Sequence, residues 1–119
     1  MSLSAGEDAP TVTVLNQNGD EIVLTFAEPT VLYFYPKDET PGCTIEANQF
    51  QRERETYADA GVDIYGVSTD GVESHRSFCE SAGLEFDLLA DPDAELAAAF
   101  DVDLRNGKPA RTTFLLADG

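Results

Sequence analysis

The sequence predicts an α/β fold, with a mixed central sheet, helices on both of its faces and an N-terminal β-hairpin. Three observations lead there. Residues 30–35 (TVLYFY) and 62–68 (VDIYGVS) are apolar and β-branched without alternation, as in strands buried on both faces. Segments with helix start and stop signals separate the strands. After the opening hairpin the order is β-α-β-α-β-α-β, that of a layered α/β chain.

Taken in order, residues 11–15 (TVTVL) alternate as a short strand, Asn18-Gly19 marks a turn, and residues 22–26 (IVLTF) return. Residues 43–60 carry Ala47, Phe50, Tyr57 and Ala58 at helical spacing, with Gly61 as the stop. Residues 70–83 read as a helix closed by Gly83, and residues 86–91 (FDLLAD) as a short strand or extended piece. Residues 91–100 begin a helix with Asp91 at the cap and Pro92 at the first helical position. Residues 112–119 (TTFLLADG) are the last strand. Asp118-Gly119 is a hairpin signal with no returning strand, so either residues beyond Gly119 are missing or this strand is an exposed edge. No repeat or linker interrupts residues 1–119, which read as one domain.

The 119 residues hold 23 Asp and Glu against 7 Lys and Arg, a net charge of −16, spread along the chain. Nucleic acid and anionic membrane surfaces are excluded as partners, because phosphates require a basic face. Two readings of the acidity stand: adaptation to a high-salt cytoplasm, where salt screens self-repulsion, or an ordinary acidic protein. The N-terminus lacks a secretory signal and no apolar run reaches membrane-spanning length, so a soluble, cytoplasmic chain is expected. Two cysteines in such a chain are catalytic, metal-binding or buried, not a disulfide framework. Zinc does not fit, since beside the two cysteines there is only His75, without ligand-like spacing.

Cys43 stands at a helix start. With Thr40 as N-cap, Pro41 takes the first helical position and Cys43 the first turn. Unpartnered amides and the helix dipole stabilise a thiolate there and are expected to lower the thiol pKa. Gly42 is expected to leave the backbone open to a small ligand. Locally, Cys43 is either a reactive nucleophile or a buried cysteine without a role.

Pro36, Thr40 and Cys43 form P-x-x-x-T-x-x-C directly after a buried strand. This resembles the active-site motif of the peroxiredoxins, and LYFYPKDETPGCTIEA is similar to the peroxiredoxin Q (bacterioferritin comigratory protein) branch. The resemblance continues through GVSTDGVESHRSF, FDLLADPDAELAAAF and RTTFLLADG. It implies a thioredoxin-like fold, and a C-terminal strand and helix that residues 1–119 lack. It also implies a thiol peroxidase acting on hydrogen peroxide and small organic hydroperoxides. A thioredoxin-like reductant would recycle it, no metal or organic cofactor would be needed, and a monomer is favoured over a stable oligomer.

The resemblance assigns roles to matching residues. Cys43 becomes the peroxidatic cysteine, oxidised to a sulfenic acid. Thr40 offers its hydroxyl to the peroxide, Pro36 shields the pocket from water, and Arg111 is the active-site arginine, a fixed cation beside the developing charge. Glu46 either orients that arginine or is a solvated acid. The resolving cysteine that many members carry five residues on is absent, because that position is Asn48. Cys79, 36 residues after Cys43, matches members that place the resolver in the following helix. The other reading makes Cys79 a core residue, one heptad after Val72. A disulfide needs Cα atoms about 4.4–6.8 Å apart, so two helical cysteines would have to unwind locally to join. A redox sensor or holdase, or a one-cysteine peroxidase, uses the same Cys43. A thiol–disulfide oxidoreductase would want C-x-x-C, which is missing. His75 reads as a solvated helix residue, and Tyr33 and Tyr35 as packing.

Overall fold

The structure is a computed structural model that describes residues 12–24, 29–100, 102–105 and 107–116. The chain runs β1 (Val12–Leu15), β2 (Glu21–Leu24), β3 (Thr30–Phe34), α1 (Pro41–Asp59), β4 (Asp63–Ser68), α2 (Val72–Ala82), β5 (Asp87–Ala90), α3 (Glu95–Ala99), β6 (Leu104–Arg105), β7 (Lys108–Pro109) and β8 (Thr112–Leu116). Six strands form one sheet in the order β2-β1-β5-β4-β3-β8. The sheet is mixed: β3, β4 and β5 are parallel, while β1 and β8 join antiparallel from either side.

The strands without alternation sit at the centre. Every residue of β3 is buried, because helices cover both faces of the sheet. On one face Val31, Tyr33, Ile64 and Leu88 pack with Ala47 of α1 and Phe78 of α2. On the other, Leu32, Phe34, Val67 and Leu89 pack with Leu96, Ala97 and Phe100. Gly66 in β4 is required by close packing, since a Cβ there would lie 2.8 Å from the Tyr33 hydroxyl and from a Leu88 methyl. The opening hairpin closes over Asn18-Gly19, and Asn16 Oδ1 accepts from the amides of Asn18 and Asp20.

Four features differ from the sequence expectation. Ala58 is exposed, because the inward stripe of α1 runs through Ala47, Phe50 and Tyr57 and leaves Ala58 turned away. The third helix spans only Glu95–Ala99. Residues 91–94 form a turn first, with Ala94 in the left-handed region (φ 57°). Asp91 still caps, at longer range: its carboxylate accepts from the amides of Leu96 at 2.9 Å and Ala97 at 3.0 Å. The β6–β7 ribbon was not anticipated, because two-residue strands leave no periodic signal.

β8 pairs with β3 from Thr30↔Leu116 to Phe34↔Thr112. The Asp118-Gly119 signal and the outer ends of the expected hairpin strands lie outside the described residues. Among the described residues no helix is long and apolar enough to cross a membrane.

Candidate active site

The topology brings three chain segments to one end of β3. Parallel strands deliver their following loops to the same sheet edge. The loop after β3 carries Pro36 and Thr40 and leads directly into α1. Antiparallel pairing of β8 places its first residues beside the last of β3, so Arg111, just before Thr112, arrives at the start of α1.

Thr40 holds the N-cap position in an extended conformation, and Pro41 follows as the first helical residue. The Thr40 hydroxyl does not cap. It donates instead to the Lys37 carbonyl at 2.9 Å, while the Thr40 carbonyl accepts from the Thr44 amide. Pro36 is half-buried beside this turn. Cys43 is the third residue of α1 and only 1% exposed. Arg111 Nη2 donates to Cys43 Sγ at 3.4 Å, and Arg111 Nη1 donates to Glu46 Oε1 at 2.7 Å. Glu46 follows Cys43 by three positions and so lies on the same helix face. Its side chain is 17% exposed and that of Arg111 is 42% exposed, so one face of the clamp meets solvent. Burial works against the Arg111 charge, but hydrogen bonds to Cys43 and Glu46 outweigh it and raise the guanidinium pKa above its ordinary value.

Gly42 is exposed, as an open backbone requires, and a Cβ there would lie 3.2 Å from Arg111 Nη2. The glycine admits the arginine to the sulfur.

Cys79 lies on α2, and both thiols are free. Cys43 belongs to the same buried cluster that Cys79 packs against. Burial, then Asp38, Asp87 and Glu80, push the Cys79 thiol up to about 12. In the folded helix it is therefore a neutral thiol and a poor nucleophile near neutrality. Asn48 is exposed on α1.

His75 is not solvated. It is 0% exposed and has an acceptor at each ring nitrogen: Asp38 Oδ2 lies 2.7 Å from Nδ1 and the Leu89 carbonyl 2.9 Å from Nε2. Tyr35 does more than pack, since its hydroxyl donates to Asp38 Oδ1 at 2.6 Å. Burial, then Asp38, raises the Tyr35 pKa well above the usual phenol range. Ser74 Oγ also donates to Asp38 Oδ2, at 2.8 Å. A signal for the inward face of α2 was present, because Val72, His75 and Phe78 recur at a spacing of three. Nothing in the sequence marked Asp38 as the partner. Tyr33 stacks on Phe50 with ring centroids 4.5 Å apart, and its buried hydroxyl has no hydrogen-bond partner among the described residues. Among the described residues no group of three or more His, Cys, Asp or Glu could hold a metal ion.

Comparison with known proteins matches residues 5–119 to the AhpC/TSA family. Peroxiredoxin Bcp of Bacillus subtilis is 42% identical over 104 residues, 86% of this chain and 66% of that protein. The chloroplastic peroxiredoxin Q of Triticum aestivum is 38% identical over 96% of this chain and 54% of its own length. The chain thus spans less than two thirds of these two relatives. Among solved structures, Xanthomonas campestris peroxiredoxin Q superposes with a TM-score of 0.84 at 37% identity, covering 90% of this chain and 73% of that one. The peroxidoxin BcpB of Mycobacterium tuberculosis gives 0.85 at 33% identity, covering 92% and 76%. The fold is the thioredoxin-like fold that the motif implied.

Proposed function

Because the chain belongs to the AhpC/TSA family, we propose that it is a thiol peroxidase that reduces hydrogen peroxide and small organic hydroperoxides through Cys43. The observation that carries this reading is the Arg111 clamp: a cation fixed by Glu46 and aimed at the Cys43 sulfur from 3.4 Å. A bound peroxide oxygen beside that sulfur would meet the same guanidinium.

In the first step the Cys43 thiolate attacks one peroxide oxygen. An S–O bond forms, the O–O bond breaks, and the sulfur loses two electrons to the leaving hydroxide or alkoxide, which takes up a proton. Arg111 stabilises the charge growing on that leaving oxygen. The Thr40 hydroxyl has committed its proton to Lys37, so its oxygen acts as acceptor for the peroxide O–H. Pro36 adds no donor of its own and limits water.

Cys79 resolves the sulfenic acid. Once its thiol has given up its proton, the Cys79 thiolate attacks the Cys43 sulfur, the S–S bond forms, the S–O bond breaks, and the leaving hydroxide takes up a proton to depart as water. A thioredoxin-like dithiol then reduces the disulfide by two exchanges. The raised pKa of Cys79 supports a resolver that reacts only after α2 opens. Its spacing supports it too, because Xanthomonas campestris peroxiredoxin Q has been solved with serine replacing cysteine at two positions 36 residues apart. That is the separation of Cys43 and Cys79. One structure of that organism's bacterioferritin comigratory protein concerns alkyl peroxide reduction activity, which supports hydroperoxides as substrates here. No cofactor takes part in this reading.

The test is steady-state peroxide consumption with a thioredoxin system. Wild type turns over, Cys43→Ser does not, and Cys79→Ser consumes one equivalent and then stalls. Equal turnover by Cys43→Ser would overturn the assignment.

A further inference from the structure

Asp38 joins the two cysteine-bearing segments. It stands in the loop between β3 and α1, 5% exposed, five residues before Cys43. Its carboxylate accepts from the Tyr35 hydroxyl and from Ser74 Oγ, and pairs with His75 Nδ1 at 2.7 Å. Its amide donates at 2.7 Å to Asp70 Oδ2, just before α2. Next to it, Glu39 is held in the left-handed region (φ 61°) and takes a hydrogen bond from Ser81 Oγ at 3.2 Å. The loop is thus tied to α2 near its beginning, middle and end. These ties hold a strained residue that the free chain would relax.

His75 and Cys79 are one turn apart on α2, four positions along the same face. The carbonyl of Cys79 is also where the helix ends, accepting from the amides of Gly83, the left-handed cap, and Leu84. Unwinding enough of α2 to free Cys79 therefore pulls on the turn that His75 anchors. Releasing His75, and Ser74 with it, leaves the buried Asp38 carboxylate held by the Tyr35 hydroxyl and without the imidazole, which is unfavourable unless the Asp38 loop moves into water as well. The same loop carries Pro36 and Thr40.

We propose that the Asp38–His75 pair is a latch that makes the Pro36–Thr40 loop and α2 open together, and so sets the rate at which Cys79 reaches an oxidised Cys43. Asp38 and His75 are positioning residues in this account. It rests on Cys79 being the resolver, but the latch itself can be read without peroxide.

The experiment measures iodoacetamide labelling of Cys79 in the reduced Cys43→Ser protein, under conditions where the chain is folded. His75→Gln and Asp38→Asn should each speed labelling by about tenfold or more, and the double variant should add little, since both break one interaction. Ser74→Ala removes a single tie and should give a smaller increase. Leu96→Ala, in the cluster on the opposite face of the sheet, serves as the control for general destabilisation. In the Cys43-containing proteins, disulfide formation should accelerate relative to sulfenic acid formation when the latch is broken. Unchanged labelling in both His75→Gln and Asp38→Asn would overturn the proposal, and so would an equal increase in Leu96→Ala at matched loss of stability. Absence of a Cys43–Cys79 disulfide in wild type would instead overturn the resolving role and leave the labelling result intact.

Discussion

Arg111 Nη2 lies 3.4 Å from Cys43 Sγ across 68 residues of sequence. Antiparallel pairing of β8 with β3 makes that approach, and Glu46 fixes its direction. The catalytic proposal depends on this one contact more than on any other.

Arg111→Met should lower kcat/KM for hydrogen peroxide by about 10²–10³-fold, the usual effect of removing one preorganised charge-stabilising donor. Glu46→Gln should lower it less, by about tenfold, because the guanidinium remains but loses its charged anchor. The double variant should resemble Arg111→Met alone, since Glu46 acts through the arginine. Stopped-flow peroxide kinetics on the three variants checks this, and additive losses would separate the two residues.

Gly42→Ala should reduce activity without reducing stability. Its Cβ would sit 3.2 Å from Arg111 Nη2, and the flexible arginine end would shift away from the sulfur. Alanine is the better helix former by about 1 kcal/mol, so the melting temperature should hold or rise. The check pairs a thermal melt with peroxide kinetics. An unchanged rate would mean that the arginine position is not limiting.

Cys79 should make the fold sensitive to alkaline pH. Its folded pKa is raised from 9.0 to about 12. The contribution is fully present below the unfolded value and is lost as pH rises from 9 towards 12, because only the unfolded or opened chain releases the proton there. Tyr33, Tyr35 and Tyr65 are shifted in the same direction, so the informative quantity is a difference. Wild type should lose more stability than Cys79→Ser between pH 8 and 10, measured by urea unfolding. Parallel pH profiles would count against a neutral, half-buried thiol at this position.

Asp91→Ala should destabilise the fold by about 1–3 kcal/mol, since two buried amides, Leu96 and Ala97, lose their acceptor. Chemical denaturation checks it, and a loss below about 0.5 kcal/mol would show water replacing the carboxylate.

Salt should stabilise the folded chain. A net charge of −16 repels itself across the surface, and ions screen it over roughly 10 Å at 0.1 M. Melting temperatures should climb from about 0.05 M to about 2 M potassium chloride, most steeply at the low end. A flat profile would remove the high-salt reading of the composition.

The contiguous part of the site was legible in the sequence. Pro36, Thr40 and Cys43 lie within one strand–turn–helix unit, and the fixed geometry of a helix start carries chemical meaning. Arg111 could be found only through the family resemblance, because the β3–β8 pairing that delivers it leaves no local mark. Thr40 takes the expected N-cap position, and its hydroxyl proton goes to the Lys37 carbonyl, a local contact that the sequence does not mark. The sequence singles out nothing at Asp38, and it places His75 on a solvated helix face. Each is buried because of the other, and residue-by-residue polarity cannot express a pair that a fold assembles 37 positions apart. The third helix is shorter than its signals imply, because Asp91 and Pro92 mark an immediate start whereas the chain first makes a turn and caps from farther away.

The most direct test is one equivalent of hydrogen peroxide added to the reduced protein, followed by rapid quenching, digestion and mass spectrometry. The account predicts that Cys43 is oxidised first, as a sulfenic acid trapped at the earliest times, and that a disulfide-linked pair of peptides carrying Cys43 and Cys79 replaces it. Cys43 recovered as an unmodified thiol, with the peroxide unconsumed, would contradict it.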